Sequence, residues 1–193
     1  MQIRNIHERE FEFPAQRVGA LVDSLASSQD LLWPKDMWPC IEFDRPLSVG
    51  ATGGHGPIRY QIEEYYPGSY VRFRFLGPPG FDGYHAFQIV EVSCARTLLR
   101  HTLEMNTHGL ALISWPVVFR PLHNALIEDS LARAEASPHH EPRVLSWSPW
   151  VRLLRWVLFA GKARQQHAPS NTIHTDASSA AGGRMRSGDE ERR

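Results

Sequence analysis

Two periodicities divide the chain. Between Tyr60 and Met105 apolar and polar side chains alternate in steps of two, the signature of strands with one covered face; between Trp115 and Leu131 the apolar residues return every third or fourth position, as on a helix. The first stretch, "YQIEEYYPGSYVRFRF", predicts a hairpin centred on Pro67-Gly68, with Tyr66 facing Ser69. That register sets Ile62 opposite Phe73, Tyr60 opposite Phe75, Gln61 opposite Arg74 and Glu63 opposite Arg72. A second hairpin turning at "SCA" pairs Ile89 with Leu99, Phe87 with His101 and His85 with Leu103, leaving Gln88 with Arg100 and Tyr84 with Glu104 outside. Joined through "LGPPGFDG", with Phe73 beside Phe87 and Phe75 beside His85, they form a four-stranded antiparallel meander. Its apolar face cannot remain in water, since each large side chain gains roughly 1.5 to 3 kcal/mol on burial. The expected cover is the segment carrying Trp115, Val118, Phe119, Leu122, Leu126, Ile127 and Leu131, irregular around Pro116 and regular from about Pro121, with Glu128, Asp129 and Arg133 on its other faces.

Around this centre, Gln2 to Phe13 reads as extended, and Pro14 opens a helix with Val18, Leu21, Val22 and Leu25 at helical spacing. Two Trp-Pro pairs, at Trp33 and Trp38, predict turns or a short helix; "IEFDRP" predicts a short strand; "LSVGATGGHGP" is too rich in glycine for regular structure and predicts a bend or mobile loop. Ser148-Pro149 starts a further helix on which Ser148, Arg152, Arg155 and Lys162 share one stripe. The apolar remainder of Trp147 to Lys162 has two readings: it folds back on the domain, or it lies in a membrane interface or against a partner. The resulting division is a domain over 1–136, a linker over 137–147, an accessory amphipathic helix over 148–164 and a disordered tail over 165–193.

Composition narrows the function classes. The chain has 193 residues, 42% hydrophobic and 22% charged, with a formal net charge of zero, which argues against nucleic acid as a partner. Cys40 and Cys94 have neither metal-ligand spacing nor the number a disulfide framework needs, so reduced thiols and a cytoplasmic setting are expected. The opening "MQIRNIHEREFEF" is no signal peptide, and no apolar run is long enough to span a membrane. "GATGGHG" is not followed by the Lys-Ser/Thr helix start of a phosphate loop, and no G-x-S-x-G stretch is present.

The order strand, helical segments, meander, long helix resembles the helix-grip superfamily, often labelled SRPBCC, which includes polyketide cyclases and dehydratases, START lipid-transfer domains and the pollen-allergen group. The resemblance runs from about Gln2 to Ala136 and is carried by "RNIHEREFEFPAQRVGALV", "GPIRYQIEEYYPGSYVRFRF", "GFDGYHAFQI" and "PVVFRPLHNALIEDSLARAE". It implies an α+β fold in which a curved antiparallel sheet wraps a long C-terminal helix, with a largely apolar cavity between them for hydrophobic small molecules. It implies no particular reaction.

Tyr60, His85 and His101 are the polar side chains that the register puts on the covered face, the two histidines diagonal on neighbouring strands at roughly 7 Å between backbones. They are the groups expected to orient a ligand, a lipid or an aromatic polyketide-like compound, with Phe73, Phe75, Phe87, Leu103, Met105, Trp115 and Phe119 as the apolar wall. The alternatives are a cyclase or dehydratase in which His85 or His101 moves a proton, and a membrane-surface or partner-docking module using Trp147 to Lys162. No third ligand stands near the two histidines, so no metal site is expected, and nothing implies a cofactor. His55 reads as an exposed loop residue, with gating of a cavity mouth as the alternative.

Overall fold

In the computed structural model the described residues are 1–136 and 145–165, with side chains described as far as Leu158. The linker positions 137–144 and the tail from 166 onward lie outside them. Seven strands form one antiparallel sheet: β1 (Gln2–Phe11), β2 (Glu42–Phe43), β3 (Thr52–His55), β4 (Ile58–Tyr66), β5 (Tyr70–Gly77), β6 (Phe81–Ser93) and β7 (Arg96–Thr107), in the spatial order β1-β7-β6-β5-β4-β3-β2. Helix α1 (Ala15–Asp23) follows β1. The run after β7 comprises α2 (Ala111–Ser114), a π-helical turn (Trp115–Phe119) and the long α3 (Arg120–Glu135); α4 is Pro149–Gln165.

The expected faces hold, with three local departures. The turn after β4 spans three residues, since Tyr66 pairs with Tyr70, Ser69 N–H donates to the Tyr66 carbonyl at 3.0 Å, and Gly68 sits at φ +75° where a side chain would be strained. The extra residue is absorbed by a bulge at Glu63, beyond which Ile62 meets Phe73 and Tyr60 meets Phe75 as expected. Arg72 therefore pairs with Glu64 rather than Glu63, and Tyr65 turns inward, its hydroxyl donating to Asp23 at 3.0 Å. Strands β5 and β6 join two residues away from the expected register, Phe73 lying beside His85 and Val71 beside Phe87. An even slip keeps every side chain on its face. Finally, "TGGH" is strand β3 and not a loop. A Cβ on Gly53 would lie 2.0 Å from the Glu42 carbonyl oxygen, so glycine is what lets β3 run between β2 and β4.

Sheet and α3 close on one core. Tyr60, Ile62, Val71, Phe73, Phe87, Leu99, His101 and Leu103 from the inner face are buried with Trp115, Leu122, Leu126, Ile127 and Leu131 from the covering run. The inner side of β1 is polar and meets polar α3 residues: His7 binds Glu128 at 2.7 Å, and Arg9 bridges Glu128 and Glu135. Asp129, off the apolar stripe of α3, is nevertheless buried, its Oδ2 accepting the indole N–H groups of Trp38 at 2.7 Å and Trp147 at 2.9 Å.

Helix α4 folds back on the domain. Val151 and Leu154 enter the core, and the Arg155 guanidinium lies over the Trp38 and Trp147 rings at 4.3 and 3.9 Å. Ser148 Oγ accepts the Val151 N–H at 3.3 Å, as an N-cap does. The helix is also tied through Pro121, which has no N–H for the Val117 carbonyl one turn earlier; Trp150 Nε1 donates to that oxygen at 2.8 Å. No helix among the described residues is long and apolar enough to cross a membrane.

Candidate functional site

Between the inner face of the sheet and the run from Trp115 to Ile127 lies a narrow cavity, of which the centre of a water molecule can reach about 80 Å³. It is a slot, suited to a flat or slender occupant. Phe75, Phe81, Phe87, Leu103, Trp115, Phe119, Leu122, Leu126 and Ile127 form its walls, while Trp33, Trp38, Pro39, Gly56, Pro57, Ile58 and Leu158 supply the rest of the lining apart from four histidines. Among the described residues no Asp, Glu, Lys or Arg lines it.

The polar groups in this slot are imidazoles. His55, His85, His101 and His123 all line it. They belong to a continuous row of rings: Trp33 to His55 at 4.8 Å between centroids, His55 to Tyr60 at 6.0 Å, Tyr60 to His85 at 5.0 Å, His85 to His101 at 5.4 Å, His101 to His123 at 5.1 Å and His123 to His7 at 5.8 Å. His85 Nδ1 and His101 Nε2 are 3.2 Å apart and share a hydrogen bond. At the far end, His7 holds Glu128. Among the described residues, His101 Nδ1, both nitrogens of His123 and the Tyr60 hydroxyl are buried with no hydrogen-bond partner. Buried polar atoms of this kind ordinarily find partners, and each left alone costs about 1 to 3 kcal/mol.

Burial decides their charge. Desolvation, reinforced by the neighbouring imidazoles His123 and His55, pushes His85 well below the ordinary histidine range; desolvation together with His123, His85 and His7 does the same to His101. Desolvation, then His7, lowers His123 to about 3, and desolvation with Arg59 lowers His55 to about 4. Burial raises the Tyr60 phenol well above its usual value, so all five groups are neutral at pH 7. An apolar slot with neutral donors and acceptors at one side favours an uncharged ligand, because an ion would enter without a countercharge.

Of the ten side chains expected from the sequence to contact a ligand, Phe75, His85, Phe87, His101, Leu103, Trp115 and Phe119 line the slot. Tyr60, Phe73 and Met105 are buried behind that lining; Phe73 stacks on His85 at 4.8 Å and Tyr60 meets the same ring edge-on. His55 is half-buried against Trp33 and Tyr60 rather than exposed on a loop. His123 was not among the expected residues, although its spacing after Phe119 and before Leu126 puts it on the apolar side of α3. The sequence marks Trp33 and Trp38 only through the prolines that follow them, and the slot uses both. Among the described residues no three His, Cys, Asp or Glu side chains converge as a metal ligand set.

No protein-family model matches the sequence, and no curated protein sequence matches it. Solved structures do match. Truncated norcoclaurine synthase from Thalictrum flavum superposes with a TM-score of 0.55 at 14% identity, covering 72% of this chain and 96% of that one. A conserved protein of unknown function from Enterococcus faecalis gives 0.54 at 14% identity, covering 86% and 88%, and CalU16 from Micromonospora echinospora gives 0.52 at 14%, covering 86% and 89%. At such identities the likeness is one of fold. The sheet order, the long covering helix and these superpositions together assign the chain the helix-grip fold.

Proposed function

We propose that this chain binds an uncharged hydrophobic small molecule in the slot between sheet and α3, with the molecule's polar end against His85, His101 and His123. A lipid with a neutral polar end and an aromatic polyketide-like compound both have this chemistry. Phe75, Phe87, Leu103, Trp115 and Phe119 hold the apolar body, and Tyr60, Phe73 and Met105 brace the wall from behind. The observation that carries the reading is a lining with no charged side chain among the described residues, in which one side supplies imidazole nitrogens that lack partners among those residues. Norcoclaurine synthase has been solved in complex with dopamine and hydroxybenzaldehyde, a structure that superposes at a TM-score of 0.52 and 12% identity over 70% of this chain and 84% of that one. That is consistent with small aromatic ligands in this fold.

Titration with the uncharged fluorophore N-phenyl-1-naphthylamine tests the reading. The wild-type chain should enhance its fluorescence saturably; Leu103→Trp, which fills the slot, should abolish the enhancement without unfolding the protein. Saturable binding that survives Leu103→Trp would move the site elsewhere.

One observation favours a second reading. The His85–His101 hydrogen bond joins two neutral imidazoles, which can take a proton at one ring and release it at the next, as acid/base catalysis in a cyclase or dehydratase requires. Under that reading His85→Ala keeps fluorophore binding within about twofold but removes turnover of the natural ligand. Equal loss of binding and turnover would leave His85 as a ligand contact only.

A further inference from the structure

The side of α4 that faces away from the core is apolar as well. Val151 and Leu154 point inward, whereas Trp150, Trp156 and Val157 are exposed, Trp156 to 69%. Beside them the α2 run exposes Leu110, Ile113 and Val117, Ile113 to 67%. The hydrogen bond from Trp150 to the Val117 carbonyl joins the two strips into one surface. Single exposed apolar residues are ordinary, but six gathered on two adjoining helical segments mark a contact surface.

Charge identifies the occupant. The chain as a whole balances 21 acidic against 21 basic residues, yet Gly109 to Ile127 and Leu145 to Gln165 contain no Asp or Glu, and Arg120 and Arg152 stand exposed on them. A second copy meeting this face symmetrically would set arginine near arginine with no carboxylate from these two segments to pair it. An anionic lipid surface meets both requirements, since it accepts apolar side chains below its headgroups and attracts basic ones above them. Tryptophan at such a boundary keeps its ring among the acyl chains and its N–H among polar groups.

We infer that the outer face of α4 and the adjoining α2 run form a docking surface for an anionic lipid bilayer. The surface borders the cavity: Leu158 is 44% exposed and also lines the slot. A docked protein has its cavity mouth beside the acyl chains, so an apolar molecule passes between bilayer and slot with little exposure to water. The docking itself does not depend on what the slot binds.

The test is cosedimentation of the full chain with vesicles of phosphatidylcholine, with and without phosphatidylglycerol. Binding is expected to the phosphatidylglycerol vesicles, to weaken with added salt, and to fall about fivefold for each of Arg120→Gln and Arg152→Gln. The exposed-site pair Ile113→Glu with Trp156→Glu should lower it at least about tenfold while fluorophore binding in the slot stays at the wild-type level. Val92→Glu, exposed on β6 near the β6–β7 turn, should change nothing. The inference is overturned by absence of binding to anionic vesicles, by binding indifferent to both sets of substitutions, or by sedimentation velocity showing a dimer that the Ile113→Glu, Trp156→Glu pair dissociates.

Discussion

Replacing His123 by leucine separates the stability of this fold from its use. His123 projects from α3 with both ring nitrogens buried and unpaired, and burial lowers its pKa to about 3. Leucine is close in volume, favours helix, and leaves no orphaned polar atom. At pH 7 His123→Leu should therefore be more stable than wild type by about 1 to 2 kcal/mol. The pH dependence gives the sharper magnitude. An unfolded histidine titrates near 6.5 and the folded one near 3, so below pH 6.5 the unfolded chain holds a proton that the native chain lacks, and stability falls as the pH falls. Integrating that single-proton difference from pH 7 to pH 4.5 costs the wild type about 2 to 3 kcal/mol that the variant does not lose. The depressed pKa values of His55, His85 and His101 add acid sensitivity of the same sign to both proteins, and because His123 helps depress His85 and His101, its removal eases their shifts and widens the gap in the same direction. Urea unfolding followed by circular dichroism at a series of pH values measures the difference. If the gap between variant and wild type stays constant from pH 7 to 4.5, His123 is not held neutral in a dry slot, and the charge-free cavity falls with it. Fluorophore affinity should meanwhile drop about tenfold, because a polar partner has been removed.

Three further changes follow from particular contacts. Asp129→Ala leaves the Trp38 and Trp147 indoles without their acceptor and should cost about 3 to 5 kcal/mol in chemical denaturation, with protease cleavage appearing first around α4. Gly53→Ala drives a methyl group into the Glu42 carbonyl and should cost about 2 kcal/mol or more, with fast hydrogen exchange confined to β2 and β3; an unperturbed exchange profile would refute the β2–β3 pairing. Asp23→Ala removes the acceptor shared by the Tyr65 hydroxyl and the Gly68 N–H, and should lower stability by about 1 to 2 kcal/mol; no measurable loss would mean that α1 is not anchored to the β4–β5 turn there.

The meander was legible because period-two alternation fixes faces independently of register. The β4–β5 and β6–β7 pairings follow from turn positions, and even the two-residue slip at β5–β6 left Phe73, His85 and Phe87 inward. The bulge at Glu63 was not legible, since whether Pro67-Gly68 sits in a two- or three-residue turn depends on backbone angles that either sequence reading allows. Strand β3 was hidden by composition: glycines that weaken an isolated strand are required where neighbouring backbones approach closely. Within the site, His85 and His101 carried the alternation's signal. His123 and Asp129 did not, because on a helix covered by sheet on one side and α4 on another, polar residues are buried too and amphipathic spacing stops marking inside from outside. For the same reason the sequence posed fold-back and outward contact of α4 as rivals, whereas its two faces are both apolar and only one is used by the core.

The central claim is that sheet and α3 enclose a slot that holds an uncharged organic molecule. Native mass spectrometry of the freshly purified full chain tests it directly, before and after incubation with N-phenyl-1-naphthylamine. One bound molecule per chain, released on mild activation and missing from Leu103→Trp, is the predicted result. The bare mass of the chain under both conditions, or equal occupancy in wild type and Leu103→Trp, would contradict it.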